Sequence, residues 1–278
     1  MKIIDKLAWL FRRNLIIDYK FITRVNFLKP SDKWDILFGK YNTLFKHFFI
    51  PFKTAESFIN VNGEKIYYGT PYGLVGYSCM LAEQIYWLTK LNINNKPVIL
   101  DVGANMGYFT LGCKKIFPNA SIFCFEPVDS AYNALVKNVE KINDVTTYKF
   151  AVGEDNRKIG MDVNFKETSF SKISDKNPSY QAEMRKLDDI EELKNLPQID
   201  IFKLDVEGYE LNALKGAANL LSRTHYLLME LNSEEYSISD VTNLLNASGK
   251  KVVIKFIRNF ELEQDEEFKS GDVLFELI

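Results

Sequence analysis

The chain has 278 residues, of which 46% are hydrophobic and 14% aromatic, and this composition supports a packed core and argues against global disorder. Its formal net charge of −2 gives no overall argument for nucleic-acid binding. The charge is uneven: residues 1–53 hold eleven Lys and Arg against four acids, a net +7, so a basic segment precedes an acidic body.

The few cysteines and histidines argue against a disulfide framework and against a metal site built from these residues. Cys79, Cys113 and Cys124 form no CxxC pair, and His47 and His225 are the only histidines. We expect buried free thiols in a reducing compartment, with no disulfide frame and no metal site. No apolar run reaches the roughly 18 residues that span a bilayer, and basic residues interrupt the N-terminal stretch where a signal peptide would be apolar. These features predict a cytoplasmic protein.

Residues 1–53 are predicted to be a helical N-terminal extension. Its first apolar residues recur near helical spacing with basic residues between them, at Ile3, Ile4, Leu7, Leu10 and Phe11. Two interpretations remain open. In the first, the extension is a helical cap that packs on the rest of the chain or on another subunit. In the second, it is an interfacial helix that touches an anionic membrane surface, which would place the protein peripherally at the inner face of a membrane.

Residues 54–96 are predicted to lead into the core through a hairpin and a helix. Phe58–Tyr68 is a hairpin around the turn Asn62-Gly63. A glycine-rich loop and an apolar-patterned helix follow, at residues 69–76 and Met80–Leu91.

Residues 97–278 alternate between strand and helix patterns, which predicts an α/β domain with a mostly parallel sheet covered by helices. Seven strands are predicted, at Val98–Val102, Ser121–Glu126, Thr146–Val152, Ile199–Leu204, His225–Leu231, Val252–Ile257 and Val273–Ile278. Helices are predicted at Gly107–Phe117, Asp129–Ile142, Tyr209–Leu221 and between Ser237 and Gly249. Residues 157–187 are predicted to be an irregular β insertion. The last two strands follow each other without a helix, which predicts that the last strand is antiparallel.

A glycine turn joins the first core strand to the first helix, as in Rossmann-like nucleotide sites. Gly103 and Gly107 allow the backbone to turn sharply and to come close to a ligand. The turn lacks the full GxGxxG of dinucleotide sites, since Asn105 follows Ala104 where the second glycine would stand. A site that does not cradle a pyrophosphate favours a nucleoside with an amino-acid tail, and S-adenosylmethionine fits that description.

Polar residues stand at the ends of the predicted strands, where ligands of such sheets bind. Glu126 can accept hydrogen bonds from both hydroxyls of a ribose, although a salt-bridged strand end would look the same. Glu207 could instead stabilise the first turn of the helix that follows it. The candidate cofactor-binding residues are Asp101, Gly103, Ala104, Asn105, Gly107, Glu126, Pro127, Val152 and Asp205. The candidate catalytic residues, as bases for a hydroxyl acceptor, are Asp205, Glu207 and Glu230.

Five motifs together resemble the FkbM-type methyltransferases: DVGANMGYFT (101–110), FEP (125–127), Leu187-Asp188-Asp189, DIFKLDVEGYELNALKGA (200–217) and LLMEL (227–231). The resemblance covers roughly residues 58–278. It implies a Rossmann-like class I methyltransferase fold, S-adenosylmethionine as the cofactor, and methylation of a hydroxyl on a sugar or another small molecule. It also implies cofactor roles for Asp101, Gly103, Asn105 and Glu126, and it marks Asp205 and Glu207 as the acids of the fourth strand.

Two alternatives to a methyltransferase stay open at this point. A nicotinamide-dependent oxidoreductase would suit Glu126, but not the incomplete glycine fingerprint or the reversed last strand. A non-catalytic, cofactor-binding partner of a glycan-assembly enzyme would not need Asp101, Glu126 and Asp205 together. The expected partner is a small-molecule or glycan acceptor, with no nucleic acid, and residues 157–187 and 69–76 are expected to shape its pocket.

Overall fold

The computed structural model describes residues 3–49, 57–69, 72–163, 171–174, 178–232, 235–262 and 268–278. The chain divides into two compact units. The first, which we call the helical unit, comprises Met1–Asn94, Met106–Pro118 and Asn133–Ile142. The second, which we call the sheet unit, comprises Asn95–Asn105, Asn119–Tyr132 and Asn143–Ile278. The three-part division that the sequence suggests, with boundaries after residues 53 and 96, stays a prediction.

The helical unit begins with two long helices, α1 (Ile3–Arg24) and α2 (Pro30–Phe49), as predicted for the N-terminal extension. A buried ion pair joins them: the Lys40 ammonium lies 2.6 Å from the Asp18 carboxylate. The Tyr41 hydroxyl donates a second hydrogen bond to Asp18. Since separating a buried ion pair leaves a charge without compensation, these contacts fix α1 against α2.

A short hairpin follows the two helices, as predicted. β1 (Phe58–Val61) and β2 (Glu64–Tyr67) pair antiparallel. Asn62 and Gly63 connect them with φ angles of 51° and 85°, which are the left-handed values of a tight two-residue hairpin turn.

The helix after the hairpin begins earlier than predicted. α3 (Gly73–Met80) continues through a π-helical turn at Leu81–Ile85 into α4 (Tyr86–Leu88). Gly73 and Gly76 therefore lie in a helix, and the predicted loop over 69–76 is wrong for its second half. A Cβ on Gly73 would come within 2.6 Å of the Tyr68 carbonyl oxygen, so this glycine allows close packing rather than a turn.

The remaining helices and strands alternate along the chain. The first are β3 (Val98–Val102), α5 (Tyr108–Ile116), β4 (Ser121–Phe125), α6 (Asp129–Val139) and β5 (Val145–Tyr148). Next come β6 (Ala151–Val152), β7 (Arg157–Asp162), β8 (Lys172–Ile173), β9 (Tyr180–Arg185) and α7 (Glu191–Lys194). The last are β10 (Ile199–Leu204), α8 (Glu210–Lys215), α9 (Ala218–Leu221), β11 (Thr224–Asn232), α10 (Ile238–Ala247), β12 (Val252–Leu262) and β13 (Phe268–Leu277).

The main sheet of the sheet unit has seven strands in the order β12-β13-β11-β10-β3-β4-β5. β13 runs antiparallel to both of its neighbours, whereas β11, β10, β3, β4 and β5 are parallel. The prediction of seven strands with an antiparallel last strand is confirmed. Every residue of the central strand β10 is buried, as expected for a parallel strand covered on both faces. The carboxyl ends of β11, β10, β3 and β4 lie side by side, so the polar residues that follow these strands meet at one edge.

The predicted third strand, Thr146–Val152, is wrong as a single strand. β5 ends at Tyr148 and pairs with β4, whereas β6 pairs with β9 in a separate four-stranded sheet of order β6-β9-β7-β8. Between them the ring of Phe150 packs 5.6 Å from the rings of both Phe125 and Tyr148, so the chain leaves the main sheet there. The β insertion over 157–187 is confirmed by β7 and β9, with residues 164–170 and 175–177 outside the described chain.

The predicted helix Tyr209–Leu221 is divided into α8 and α9. A Cβ on Gly216, at the break, would lie 1.9 Å from the Gly153 carbonyl oxygen, so a close approach to another part of the backbone interrupts the helix. The Asp188 carboxylate then caps α9 by accepting hydrogen bonds from the N–H groups of Asn219 (2.9 Å) and Leu220 (3.1 Å). The capping box of Ser237 and Asp240 at the start of α10 is confirmed.

Within the part of the chain that the structure describes, no helix combines the length and the apolarity needed to cross a membrane.

Candidate active site

The glycine turn after β3 lies directly against the loop after β10. Gly103 has a φ of 73°, and a Cβ there would lie 1.7 Å from the Asp205 carbonyl oxygen. The N–H groups of Gly103 and Ala104 both donate to the Phe125 carbonyl oxygen at 3.0 Å. Glycine is required at position 103 both by the left-handed backbone and by the lack of space beside it.

Glu126 holds the same turn from the end of β4. Its buried carboxylate accepts hydrogen bonds from the N–H groups of Asn105 (2.9 Å) and Val128 (2.8 Å). Burial raises the pKa of Glu126 to about 7, although these two hydrogen bonds and the charge of Lys203 act in the opposite direction. Each carboxylate oxygen has further acceptor capacity, so Glu126 can bind ligand hydroxyls while it holds the turn.

Lys203 is a buried cation that the sequence analysis did not include in the site. Its ammonium donates to the Gly103 carbonyl oxygen (2.8 Å) and lies 3.4 Å from the Asp205 carboxylate and 3.6 Å from that of Asp101. Burial alone would lower the pKa of Lys203, but the charges of Asp205 and Asp101 outweigh burial and raise it. The signal in the sequence was a lysine inside an apolar strand, because a buried ammonium needs partners.

Asp205, Glu207 and Glu230 form an acidic cluster at the ends of β10 and β11. One carboxylate oxygen of each lies within 4.8 Å of the others. Burial raises the pKa of Glu207 to about 8, and the charges of Asp205 and Glu230 add to the effect. Burial likewise raises the pKa of Glu230 to about 8, with Asp205 and Asp272 adding to it. The structure therefore brings together all three candidate catalytic residues, and carboxyl groups with pKa values near neutrality are suited to proton transfer.

The acidic cluster supplies oxygen atoms that the expectation of no metal site did not take into account. That expectation rested on cysteine and histidine, whereas carboxylate oxygens are the ligands that Mg²⁺ and Ca²⁺ prefer. Acidic clusters are also common without a metal, and the expectation stays a prediction.

Glu210 supports the cluster and was missed by the sequence analysis. Its carboxylate accepts hydrogen bonds from the N–H groups of Val206 (2.9 Å) and Gly208 (3.2 Å) and from the Tyr236 hydroxyl (2.8 Å). It thereby holds the turn in which Glu207 has a φ of 56°, an unfavourable value for a residue with a Cβ. The available signal was an acid at the start of a helix, two residues after a glycine, which is typical of a residue that binds free N–H groups.

The other predicted cofactor residues lie in different surroundings. The Pro127 carbonyl oxygen accepts a hydrogen bond from the Tyr180 hydroxyl (3.2 Å). Val152 is in β6, and its side chain is buried in the hydrophobic core. Gly107 precedes α5 in the helical unit with a φ of 81°. Its lack of a Cβ leaves room for the Leu135 side chain. The roles of all nine residues in cofactor binding stay predictions.

Fold and site together define the class of protein. A seven-stranded sheet with one antiparallel strand, a glycine turn after β3 and an acid after β4 make up the class I methyltransferase arrangement. The chain belongs to the FkbM methyltransferase family: residues 101–258, more than half of its length, match the methyltransferase FkbM domain. It is therefore a methyltransferase, and the alternative of a nicotinamide-dependent oxidoreductase is set aside.

The chain is similar to several named proteins and spans only part of each. It is 26% identical over 179 residues to the hexuronic acid methyltransferase AglP of Haloferax volcanii. The aligned region covers 63% of this chain and 70% of that protein. It is 28% identical over 157 residues to the 2-O-methyltransferase NoeI of Sinorhizobium fredii. This aligned region covers 50% of this chain and 65% of that protein. The crystal structure of methyltransferase FkbM from Methylobacillus flagellatus KT matches with a TM-score of 0.46 and 16% identity, over 95% of this chain and 59% of that one.

Gly103→Ala is expected to lower the free energy of unfolding by about 2–4 kcal/mol, because left-handed strain of about 1 kcal/mol adds to about 1–3 kcal/mol of overpacking. Gly249→Ala is the matched control, since Gly249 has a φ of 81° but a Cβ there would meet no atom within 4 Å. The control should lose only about 1 kcal/mol. Urea unfolding measures both, and equal losses would contradict the close approach of Gly103 to Asp205.

The stability that Glu207 and Glu230 contribute is expected to fall as pH rises. Their folded-state pKa values of about 8 lie above the ordinary 4.5, so the folded chain binds these protons more tightly than the unfolded chain. Their contribution is therefore complete below pH 4.5 and is lost as pH rises through 8. Glu207→Gln and Glu230→Gln, which cannot ionise, should each flatten the decline of Tm with pH.

Exposed Glu140 supplies the control for this measurement, because Glu140→Gln removes an acid outside the cluster. Thermal unfolding is followed from pH 4.5 to above 8. A decline that is equally steep in Glu207→Gln and in Glu140→Gln would show that the cluster does not hold protons near neutrality.

Proposed function

We propose that the chain transfers the methyl group of S-adenosylmethionine to a hydroxyl group of a sugar. The observation that carries the proposal is the acidic cluster beside the glycine turn. The backbone of Asp205 touches Gly103, and Glu207 and Glu230 lie with Asp205 in one group of carboxylates. Turn and cluster share the edge at which open parallel sheets bind their ligands.

The residues at this edge fit S-adenosylmethionine. Gly103 lets the turn pack directly on the Asp205 backbone, so the turn and the acidic loop meet at the edge where a cofactor would bind. Glu126 has the acceptor capacity to bind ribose hydroxyls. The acidic cluster would attract the positive sulfonium and ammonium groups, and a bound cofactor would supply an electrophilic methyl group there.

A sugar hydroxyl as the acceptor is supported by two lines of reasoning. AglP is named a hexuronic acid methyltransferase and NoeI a 2-O-methyltransferase. A hydroxyl is a weak nucleophile unless a base takes its proton, and Asp205, Glu207 and Glu230 are bases by type. Asp205 would accept the hydroxyl proton as the hydroxyl oxygen forms its bond to the methyl carbon, and the bond between that carbon and the sulfonium sulfur would break, with its electron pair left on the sulfur of S-adenosylhomocysteine.

The acidic cluster also favours a neutral acceptor over an anionic one. A carboxylate on the sugar would be repelled by the charge of Asp205 wherever it came close, and by Glu207 and Glu230 as pH rises through their pKa values of about 8. Methyl glucoside and methyl glucuronide are suitable probes for this part of the proposal, and the neutral glycoside is expected to have the higher kcat/KM.

Binding of S-adenosylhomocysteine is the first test. It is expected to raise the Tm of the chain, whereas NAD is not, because the turn lacks the full glycine fingerprint of dinucleotide sites. Glu126→Gln should weaken binding about tenfold or more by calorimetry, since it removes a charged acceptor of hydrogen bonds. Glu140→Gln is the control and should bind as the wild type does. Stabilisation by NAD alone would refute the cofactor assignment.

Loss of turnover in Asp205→Asn is the second test. If Asp205 takes the hydroxyl proton, kcat should fall about 10²–10⁴-fold even when S-adenosylmethionine is saturating, so the loss is separate from any loss of cofactor affinity. Release of S-adenosylhomocysteine is measured by mass spectrometry with a panel of methyl glycosides. The control is Asp155→Asn, an acid that pairs with Arg157 outside the cluster.

Two results of this assay would count against the proposal. Wild-type turnover by Asp205→Asn would remove Asp205 from the reaction. Cofactor binding without turnover on any glycoside would count against a sugar hydroxyl as the acceptor.

A further inference from the structure

The two N-terminal helices expose an unusual amount of apolar surface. Eight of the fourteen exposed large apolar side chains among the described residues belong to α1 and α2: Leu15, Ile16, Tyr19, Ile22, Trp34, Phe38, Tyr41 and Phe45. We call these eight side chains the exposed apolar face. Phe38 is 75% exposed and Trp34 and Phe45 are 68% exposed, so the largest of them are turned almost fully to solvent.

Helical spacing gathers these side chains into one stripe on each helix. On α2 the stripe repeats every three or four residues, at Trp34, Phe38, Tyr41 and Phe45. The opposite side of the same helix is buried, for example at Ile36. The helix therefore has two apolar sides, of which only one is used inside the helical unit.

The two stripes lie side by side. The Tyr41 hydroxyl binds Asp18, the neighbour of Tyr19 in the α1 stripe. At the other end of the pair, the Lys33 ammonium donates to the Ile22 carbonyl oxygen at 3.0 Å. These contacts make α1 and α2 antiparallel neighbours, so their exposed stripes form one continuous surface.

The segment that carries this surface is basic, and exposed lysines stand near both ends of α2. Residues 1–53 carry a net +7 from eleven Lys and Arg against four acids. Lys29 and Lys46, near the two ends of α2, are exposed. Lys20 and Arg24 of α1 pair with the Glu83 carboxylate at 2.5 Å and 3.1 Å, so among the described residues of this segment Lys29 and Lys46 are the exposed lysines that remain for acidic headgroups.

We propose that the exposed apolar face docks on an anionic lipid bilayer, with α1 and α2 lying in the plane of the interface. Tryptophan and tyrosine favour that environment because they have an apolar ring and a polar tip, and lysines beside them attract acidic headgroups. A second copy of the chain is a poorer occupant, since a two-fold interface would bring two basic segments together.

The experiment is flotation of the full chain with vesicles of phosphatidylcholine alone and of phosphatidylcholine mixed with phosphatidylglycerol. The chain should float only with the anionic vesicles, and added salt should release it. The double variant Trp34→Ser and Phe38→Ser should lose at least about tenfold in partitioning, because two large apolar groups no longer enter the interface.

Matched variants separate this surface from apolar exposure in general. Ile238→Ser with Ile254→Ser removes two exposed apolar side chains elsewhere and should float as the wild type does. Lys29→Gln with Lys46→Gln should weaken flotation with the anionic vesicles and leave the result with neutral vesicles unchanged. A second pair, Tyr19→Ser with Phe45→Ser, repeats the main test if the first pair lowers Tm.

Three results would overturn the proposal. The first is equal flotation with neutral and anionic vesicles. The second is unchanged flotation after loss of Trp34 and Phe38. The third is a dimer by light scattering that the same double variant converts to a monomer, which would assign the exposed apolar face to a second copy of the chain. S-adenosylhomocysteine binding is measured in parallel, so a failure here is distinguishable from a failure of the proposed function.

Discussion

Lys203 connects the parts of the candidate active site through a single buried ammonium. It contacts the carbonyl oxygen of Gly103 and lies between the carboxylates of Asp101 and Asp205. A buried ammonium is stable only with such partners, and Asp101 in turn is a fully buried acid beside that cation. The glycine turn and the acidic loop are thus held together by charge at the same place where Gly103 allows their backbones to touch. The rest of the site is built outward from this contact.

The acidic cluster is held in place against its own repulsion. Glu207 has a left-handed backbone, and burial, together with the charges of the neighbouring acids, raises the pKa of its carboxyl group. Glu210 makes this arrangement possible because it accepts hydrogen bonds from the turn and from Tyr236. Strain and shifted pKa values of this kind concentrate at functional sites, since a purely structural loop gains nothing from them. A methyl donor with a positive charge would relieve the repulsion when it bound.

The helical unit combines a well-fixed interior with an exterior rich in exposed apolar side chains. The Lys40 and Asp18 pair is buried between α1 and α2, so the two helices have a defined relation to each other. Their outer stripes carry aromatic side chains that a protein without a docking surface would rarely expose together. A basic segment with such a surface is suited to the proposed contact with an anionic bilayer.

The sequence by itself determined the order of elements, because period-two and helical apolar patterns are local. It also located the turn from Gly103 to Gly107, Glu126, Asp205 and the antiparallel last strand. The tertiary structure decided where some strands and helices end and which further residues join the site, through contacts between residues that are apart in the chain. Phe150 ends the third strand by packing on neighbouring rings, and Gly216 divides a helix because Gly153 approaches it. Lys203 reaches Gly103 and Asp101, about a hundred residues earlier, and Glu210 reaches Tyr236, and no local pattern reveals these distant partners. The exposure of Trp34 and Phe38 follows from which side of α2 the helical unit buries.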